Sequence, residues 1–160
     1  MDRCSGLALV IIVTAGCEAA PPSPPAQPVP FDHSLHAGKN QIGCTLCHAW
    51  AEHAPVAGVP SMARCAGCHK FVDKEKPDVQ AILKAYEEGR VIEWSRVHRL
   101  PDHVYFTHER HVVAGVRCAE CHGPVETMQV VRQVAPLTMG WCVECHEQRG
   151  AALDCLTCHK

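Results

Sequence analysis

The motif Cys-x-x-Cys-His occurs five times in this chain of 160 residues, and it constrains the fold more than any other feature. In chain order, the first to fifth motifs span residues 44–48, 65–69, 118–122, 142–146 and 155–159. The chain's cysteine and histidine content would produce roughly 0.07 copies by chance. Two cysteines at this spacing can bond to the two vinyl groups of a haem, and the next histidine then binds the iron. The motifs therefore predict five covalently attached haems of the c type.

The paired cysteines of each motif are the predicted attachment points, and the closing histidines are the predicted proximal iron ligands. The attachment residues are Cys44, Cys47, Cys65, Cys68, Cys118, Cys121, Cys142, Cys145, Cys155 and Cys158. The proximal ligands are His48, His69, His122, His146 and His159.

CxxC pairs also occur in zinc ribbons and as redox-active disulfides, which are the two alternatives to haem attachment. Zinc sites need cysteine or histidine ligands, but they do not need a histidine directly after every second cysteine. Disulfides within five CxxC pairs would be strained, and they would leave the histidines without a role. Haem attachment accounts for both residue types.

Seven histidines lie outside the motifs, namely His33, His36, His53, His98, His103, His108 and His111. Five six-coordinate irons need five distal ligands, so the supply exceeds the demand by two. This surplus favours irons that carry a histidine on both faces and transfer electrons, rather than irons that bind substrate.

Two of these histidine pairs belong to an internal repeat. The segments Phe31–His36 and Phe106–His111 share the pattern Phe-x-His-x-x-His, and each precedes a CxxCH motif. Asp32 and Thr107 are predicted to cap short helical turns that end at Gly38 and Gly115. Histidines three residues apart on a helix can point at two different irons.

The repeat supplies four distal ligands, so the fifth must be His53, His98 or His103. His53 lies in a loop rich in alanine, proline and glycine, and His103 follows Pro101-Asp102 in an extended stretch. His98 lies in the segment that joins the two halves of the chain, from which it can reach back to the first half. The prediction is therefore that His98 is the fifth distal ligand.

Composition predicts a small side-chain core. Aromatic residues make up 5% of the chain, whereas glycine and proline together number 23. The expected fold is a multihaem cytochrome c with few short α-helices, mostly irregular backbone, and an interior built from haems. The net charge of -2 gives no indication of nucleic-acid binding.

The folded part is predicted to contain a dihaem module at residues 31–100 and a trihaem module at 101–160. One clear helix is expected from Pro77 to Gly89, with Val79, Ile82, Leu83 and Tyr86 on its packing face. Residues 90–99 carry both charge signs and are expected to be a solvated link.

The N-terminal residues predict export. Residues 1–16 contain Arg3 and the apolar run Leu7–Val13, which is shorter than the about 20 residues that span a bilayer but fits a signal peptide. The following Cys17 completes a lipobox-like sequence and is the predicted lipidation site, with ordinary cleavage nearby as the alternative. Residues 17–30 are a predicted proline-rich tether. The protein is therefore expected on the periplasmic side, anchored to the membrane through Cys17.

The repeated FxHxxH and CxxCH pattern resembles the class III multihaem cytochromes c. Residues 94–108, 118–125 and 137–146 resemble the pentahaem cytochrome subunit of alternative complex III, a bacterial quinol oxidoreductase. That family commonly begins with a membrane helix, whereas this chain has a short signal. By position, the resemblance implies iron ligands at His33, His36, His98, His108 and His111.

The resemblance also implies electron transfer from quinol-oxidising membrane subunits to a soluble cytochrome or terminal oxidase, without a catalytic residue in this chain. Three alternatives from other classes remain. They are a small reductase of nitrite or a sulfur oxyanion with one open haem site, a free-standing electron-shuttle lipoprotein, and a haem-storage or scaffold protein.

Overall fold

Short helices carry all five CxxCH motifs in the computed structural model, which describes residues 23–159. The predicted signal peptide and Cys17 lie outside the described residues. In chain order, the helical elements are a π-helix at Ser34–Lys39, α1 at Cys44–Cys47, α2 at Met62–His69, α3 at Pro77–Glu87, α4 at His108–Val113, α5 at Cys118–His122, a 3-10 helix at Val125–Thr127, α6 at Met139–Arg149 and α7 at Cys155–Cys158.

The two cysteines of each motif lie on one of the helices α1, α2, α5, α6 and α7. Residues three apart on a helix lie on the same face, so the helical conformation brings the two cysteines of each motif to one side. Residues 23–159 contain no β-strand, and an isolated antiparallel bridge pairs Val104 with His159. The prediction of few short helices joined by irregular backbone is confirmed for this part of the chain.

No helix within residues 23–159 combines the length and the apolar character that crossing a membrane requires.

The apolar core is small and lies where α2 packs against α3. Its centre is formed by Val29, Met62, Ile82 and Ala85, with Cys65, Ile92 and Trp94 packed around it. Among the described residues, large apolar side chains such as Phe71 (84% exposed) and Leu156 (82% exposed) remain at the surface. Side chains alone therefore give this chain little buried apolar area, as its composition predicts.

Helix α3 forms as predicted, although its buried face is rotated. Pro77 occupies its first turn, and Gly89 follows it with a positive φ of 63°. Val79, Ile82 and Ala85 are buried, whereas Tyr86 is 37% exposed and carries the Lys70 ammonium 4.5 Å above its ring. Ala85 thus occupies the core position that the periodic pattern predicted for Leu83 and Tyr86.

The proline-rich segment joins the folded part earlier than predicted. Gln27 and Ser95 exchange two hydrogen bonds, from Gln27 Nε2 to the Ser95 carbonyl (2.9 Å) and from Ser95 N to Gln27 Oε1 (3.0 Å). Val29 is buried in the core, and the core contacts of Ile92 and Trp94 lie in the predicted solvated link. Ordered packing therefore begins before Phe31, and residues 90–99 are partly a packing segment.

The predicted dihaem and trihaem modules pack directly on each other. The π-helix at Ser34–Lys39 lies against the 3-10 helix at Val125–Thr127, and Ser34 N donates to the Met128 carbonyl at 3.1 Å. Glu109 N donates to the Ala54 carbonyl at 3.3 Å, so α4 also contacts the first half.

Gly38 differs from its predicted role as a helix end. The π-helix continues to Lys39, and Gly38 lies so close to the carbonyl oxygen of Glu126 that a Cβ atom would collide with it. Gly115 does follow α4 with a positive φ of 78°, as predicted. Glycine at position 38 therefore permits the close approach of the two halves.

We expect Gly38→Ala to lower the free energy of unfolding by about 1–3 kcal/mol, because the added methyl group meets a backbone atom that cannot move alone. Denaturant titration of the holoprotein, followed by far-ultraviolet circular dichroism, measures this change. Gly140→Ala is the matched control, since Gly140 lies in α6 with open space around it. Equal stability of the two variants would contradict the packing described above.

Candidate haem-binding site

Hydrogen bonds from Nδ1 to backbone carbonyl groups orient six imidazoles. The donors and acceptors are His36 to Asp32 (2.8 Å), His48 to Gly58 (2.7 Å), His69 to Val72 (3.1 Å), His108 to Pro55 (3.0 Å), His111 to Thr107 (2.8 Å) and His146 to Ala152 (2.7 Å). A carbonyl oxygen only accepts, so Nδ1 must carry the proton in each ring. The lone pair of each neutral ring is then on Nε2, where a metal ion can bind it.

The aromatic and imidazole rings pack in a similar way in the two FxHxxH segments. Phe31 lies between His33 (ring centroids 4.7 Å apart) and His36 (4.4 Å), and Phe106 lies between His108 (4.9 Å) and His111 (4.6 Å). His36 and His111 each donate to the carbonyl four residues earlier. The internal repeat predicted from the sequence therefore extends to side-chain packing.

Histidines outside the motifs face motif histidines in four pairs. The ring centroids are 6.0 Å apart in His36–His69, 6.2 Å in His108–His122, 6.0 Å in His111–His146 and 5.6 Å in His103–His159. Because metal–imidazole bonds are about 2.0 Å long, two rings on opposite sides of one metal ion have centres about 6 Å apart. All four separations fit two rings that share a metal ion.

His33 lies near His48, the closing histidine of the first motif. Burial lowers the pKa of His33, and the neighbouring His48 imidazole lowers it further. The Nδ1 atom of His33 and the Nε1 atom of Trp94 are buried without a hydrogen-bond partner. Such orphaned polar atoms fit a cofactor that brings its own acceptor groups, as a haem does with its propionates.

His122 is contacted by two histidines in different ways. The ring of His108 is nearly parallel to it, with an interplanar angle of 4°. The ring of His98 is nearly perpendicular at 85°, with centroids only 4.4 Å apart and His98 Nε2 lying 3.4 Å from His122 Nδ1. Burial lowers the pKa of His122 to about 4, with smaller contributions from His98 and His108, so this imidazole is neutral at neutral pH.

His98, the predicted fifth distal ligand, lies beside a motif histidine, whereas His103 lies opposite one. His98 lies beside His122 on its Nδ1 side and too close for a metal ion between the rings, whereas His103 faces His159. The Tyr105 amide donates to the Cys158 carbonyl at 2.7 Å, and Val104 forms a bridge with His159, so the backbone holds His103 there. His53 is exposed, and no described imidazole pairs with it.

No local sequence pattern indicated that His103 pairs with a motif histidine. Its partner motif lies more than fifty residues further along the chain, and the segment before Phe106 has neither helical periodicity nor a repeat partner. The pairing depends on a long-range backbone contact, which periodicity and spacing do not encode.

The five motifs are neighbours in an order that differs from their order in the chain. The first motif lies beside the second, since burial and the nearby Cys68 raise the pKa of the Cys47 thiol. It also lies beside the third, since burial and the nearby Cys44 raise the pKa of the Cys118 thiol. The first motif is therefore between the second and the third.

The remaining motifs extend this arrangement. Burial and the nearby Cys145 raise the pKa of Cys121, and Arg149 contacts Glu120 at 2.5 Å, which joins the third motif to the fourth. Burial and the nearby Cys158 raise the pKa of Cys142, which joins the fourth motif to the fifth. The motifs thus form a row in the order second, first, third, fourth and fifth.

The described residues do not form a zinc-type site. Within residues 23–159, no group of three or more histidine, cysteine, aspartate or glutamate side chains is arranged to hold a metal ion, and the ten cysteines are free. A structural zinc site needs four such ligands. Paired imidazoles beside free CxxC thiols instead match haem, which provides four equatorial nitrogen atoms itself and undergoes one-electron redox chemistry when bound.

Comparisons with known proteins support this assignment. A model of the class III cytochrome C family matches residues 11–93, and a model of cytochrome c7 and related cytochrome c matches residues 104–160. The menaquinone reductase, multiheme cytochrome c subunit, of Nitratidesulfovibrio vulgaris (strain Hildenborough) is 33% identical over 118 residues, which are 71% of this chain and 55% of that protein. The chain thus spans about half the length of this curated relative.

The first family model covers just over half of the chain, and the second covers the C-terminal motifs. The paired imidazoles and free CxxC thiols are the groups that covalently bound haem c requires. The chain therefore belongs to the class III cytochrome c family of multihaem c-type cytochromes.

Proposed function

We propose that this protein is a pentahaem electron-transfer cytochrome that works with a quinone-reactive membrane complex on the periplasmic side. The observation that carries the proposal is the set of Nδ1–carbonyl hydrogen bonds, which leave Nε2 of facing imidazoles free for iron. Histidine on both faces keeps haem iron low-spin and leaves no position for a substrate. Such irons transfer electrons and do not bind small molecules.

The proposed ligand pairs follow one rule in both repeats. The first histidine of each repeat binds the haem of the next motif, which gives the pairs His33–His48 and His108–His122. The second histidine binds the haem of the motif after that, which gives the pairs His36–His69 and His111–His146. The fifth pair is His103–His159, because its ring separation of 5.6 Å fits a shared iron whereas that of His98 with His122 does not.

Redox partners are proposed at the two ends of the row of motifs. The second motif lies at one end and the fifth at the other, and exposed apolar side chains lie beside both. Phe71 lies two residues after the second motif, and Leu156 lies inside the fifth. Exposed apolar side chains of this size suit transient contacts with partner proteins.

Two resemblances connect the chain with quinone chemistry, and they imply opposite directions of electron flow. The likeness to the pentahaem subunit of alternative complex III implies flow from quinol to a soluble cytochrome or terminal oxidase. The relative from Nitratidesulfovibrio vulgaris is named for menaquinone reduction. We propose the first direction for this chain, and spectropotentiometry tests it, because it requires haem potentials at or above that of the quinone pool.

The N-terminal sequence supports export and anchoring. We propose that residues 1–16 are removed and that Cys17 carries lipid, with residues 17–26 linking it to the packed segment that begins at Gln27. The membrane would then hold the protein near quinone-reactive subunits.

Intact mass spectrometry of protein purified from a host with cytochrome c maturation should show five covalent haems. The polypeptide should begin at Cys17 with lipid attached. A mass with fewer haems contradicts the haem count, and a polypeptide that retains Leu7–Val13 contradicts the processing. A high-spin ferric signal in the electron paramagnetic resonance spectrum of the wild-type protein would instead favour the reductase alternative.

His103→Ala should leave all haems attached but convert one iron to the high-spin state, because that iron loses its distal nitrogen. The reduced variant should then bind carbon monoxide at one site, which visible difference spectroscopy detects. His53→Ala is the control, since its exposed ring faces no other imidazole in residues 23–159, and it should remain fully low-spin. A low-spin His103→Ala variant would remove this histidine from the ligand set.

A further inference from the structure

His98 makes a contact that the proposed iron ligation leaves unexplained. Its Nε2 atom lies 3.4 Å from Nδ1 of His122, the closing histidine of the third motif. The two rings are nearly perpendicular, at 85°, so the edge of His122 meets His98. This is the geometry of a hydrogen bond between imidazoles, not of two ligands on opposite sides of an iron.

The ring of His108 already occupies the opposite position. It is parallel to His122 within 4° at a centroid separation of 6.2 Å, and its own Nδ1 donates to the Pro55 carbonyl. Nε2 of His108 is therefore available to the iron that His122 binds. His98 therefore lies on the Nδ1 side of His122, away from that iron.

Three other motif histidines show which group usually lies next to Nδ1. His48, His69 and His146 donate from Nδ1 to backbone carbonyls at 2.7, 3.1 and 2.7 Å. At His122 the acceptor is instead a side chain, and its distance of 3.4 Å is the longest of these four. The third motif thus has a replaceable and weaker acceptor where the first, second and fourth motifs have a backbone group.

We propose that His98 is a positioning residue for His122: its Nε2 accepts the Nδ1 proton, fixes the orientation of the ring and strengthens its donation to the iron. This inference rests on the proposed function, because it assumes a haem at Cys118 and Cys121. An acceptor on Nδ1 makes a metal-bound imidazole more basic, and a more basic ligand stabilises ferric over ferrous iron. His98 therefore lowers the midpoint potential of the third-motif haem.

The residues before and after His98 in the sequence are both fixed by contacts with the rest of the protein. Before it, Trp94 packs on the core and Ser95 is bonded to Gln27. After it, the Val104 amide donates to the Pro101 carbonyl at 2.9 Å and turns the chain toward His159. The same segment can thus present His98 to the third motif and His103 to the fifth.

The test compares His98→Ala, His98→Gln and the control His53→Ala in holoprotein. Haem content is measured by mass spectrometry, spin state by electron paramagnetic resonance, and midpoint potentials by spectropotentiometry. We expect His98→Ala to keep every haem, to remain low-spin and to bind no carbon monoxide when reduced. One component of its redox titration should shift to higher potential, and His98→Gln should reverse most of the shift, because its amide oxygen can accept the same proton. His53→Ala should titrate like the wild type.

Two results would overturn the inference. A high-spin, carbon monoxide-binding iron in His98→Ala would make His98 an iron ligand, and unchanged potentials would show that the hydrogen bond does not act on the iron. If His98→Ala does not accumulate, His98→Gln decides, since glutamine replaces an acceptor but does not hold a haem iron low-spin. A wild-type protein without haem on Cys118 and Cys121 would instead contradict the proposed function itself.

Discussion

The site depends on hydrogen bonds between imidazole Nδ1 atoms and backbone carbonyl oxygens. Each bond fixes the tautomer and the direction of the ring. Nε2, the other ring nitrogen, is then unprotonated and can bind a metal ion. Short helices provide these carbonyls for His36 and His111 from one turn earlier in the same segment. For His108 the carbonyl comes from Pro55 in the other half of the chain, so tertiary packing also orients this imidazole.

The small core follows from this arrangement. Alanine, methionine, valine and isoleucine form the core at the contact between α2 and α3, while bulky side chains such as Phe71 and Leu156 stay at the surface of residues 23–159. Haem attached to cysteines on five separate helices would add the apolar area that the side chains lack. Because cofactor binding couples to folding when the site is preformed only in the folded state, the stability of the chain depends strongly on its haems.

Most of the local structure was predictable from the sequence, and most of the long-range structure was not. The FxHxxH repeat and helix α3 are local patterns, and both form as predicted except for the end of the first helical turn and the buried face of α3. The role of Gly38 depends on the Glu126 carbonyl, and the position of His103 depends on the bridge between Val104 and His159. The early docking of Gln27 depends in the same way on Ser95. These three features involve partners that are tens of residues away, which no single-sequence periodicity reports.

In the proposed ligation, each FxHxxH segment gives its two imidazoles to the two motifs that follow it, so one segment and two motifs form a unit that supplies its own distal ligands. A chain built from such units can grow by two haems at a time, because no unit needs a distal ligand from its neighbour. The fifth motif lies outside both units and needs a distal ligand from elsewhere in the chain. Here His103, placed just before the second Phe-x-His-x-x-His segment, is the residue that faces His159 of this fifth motif.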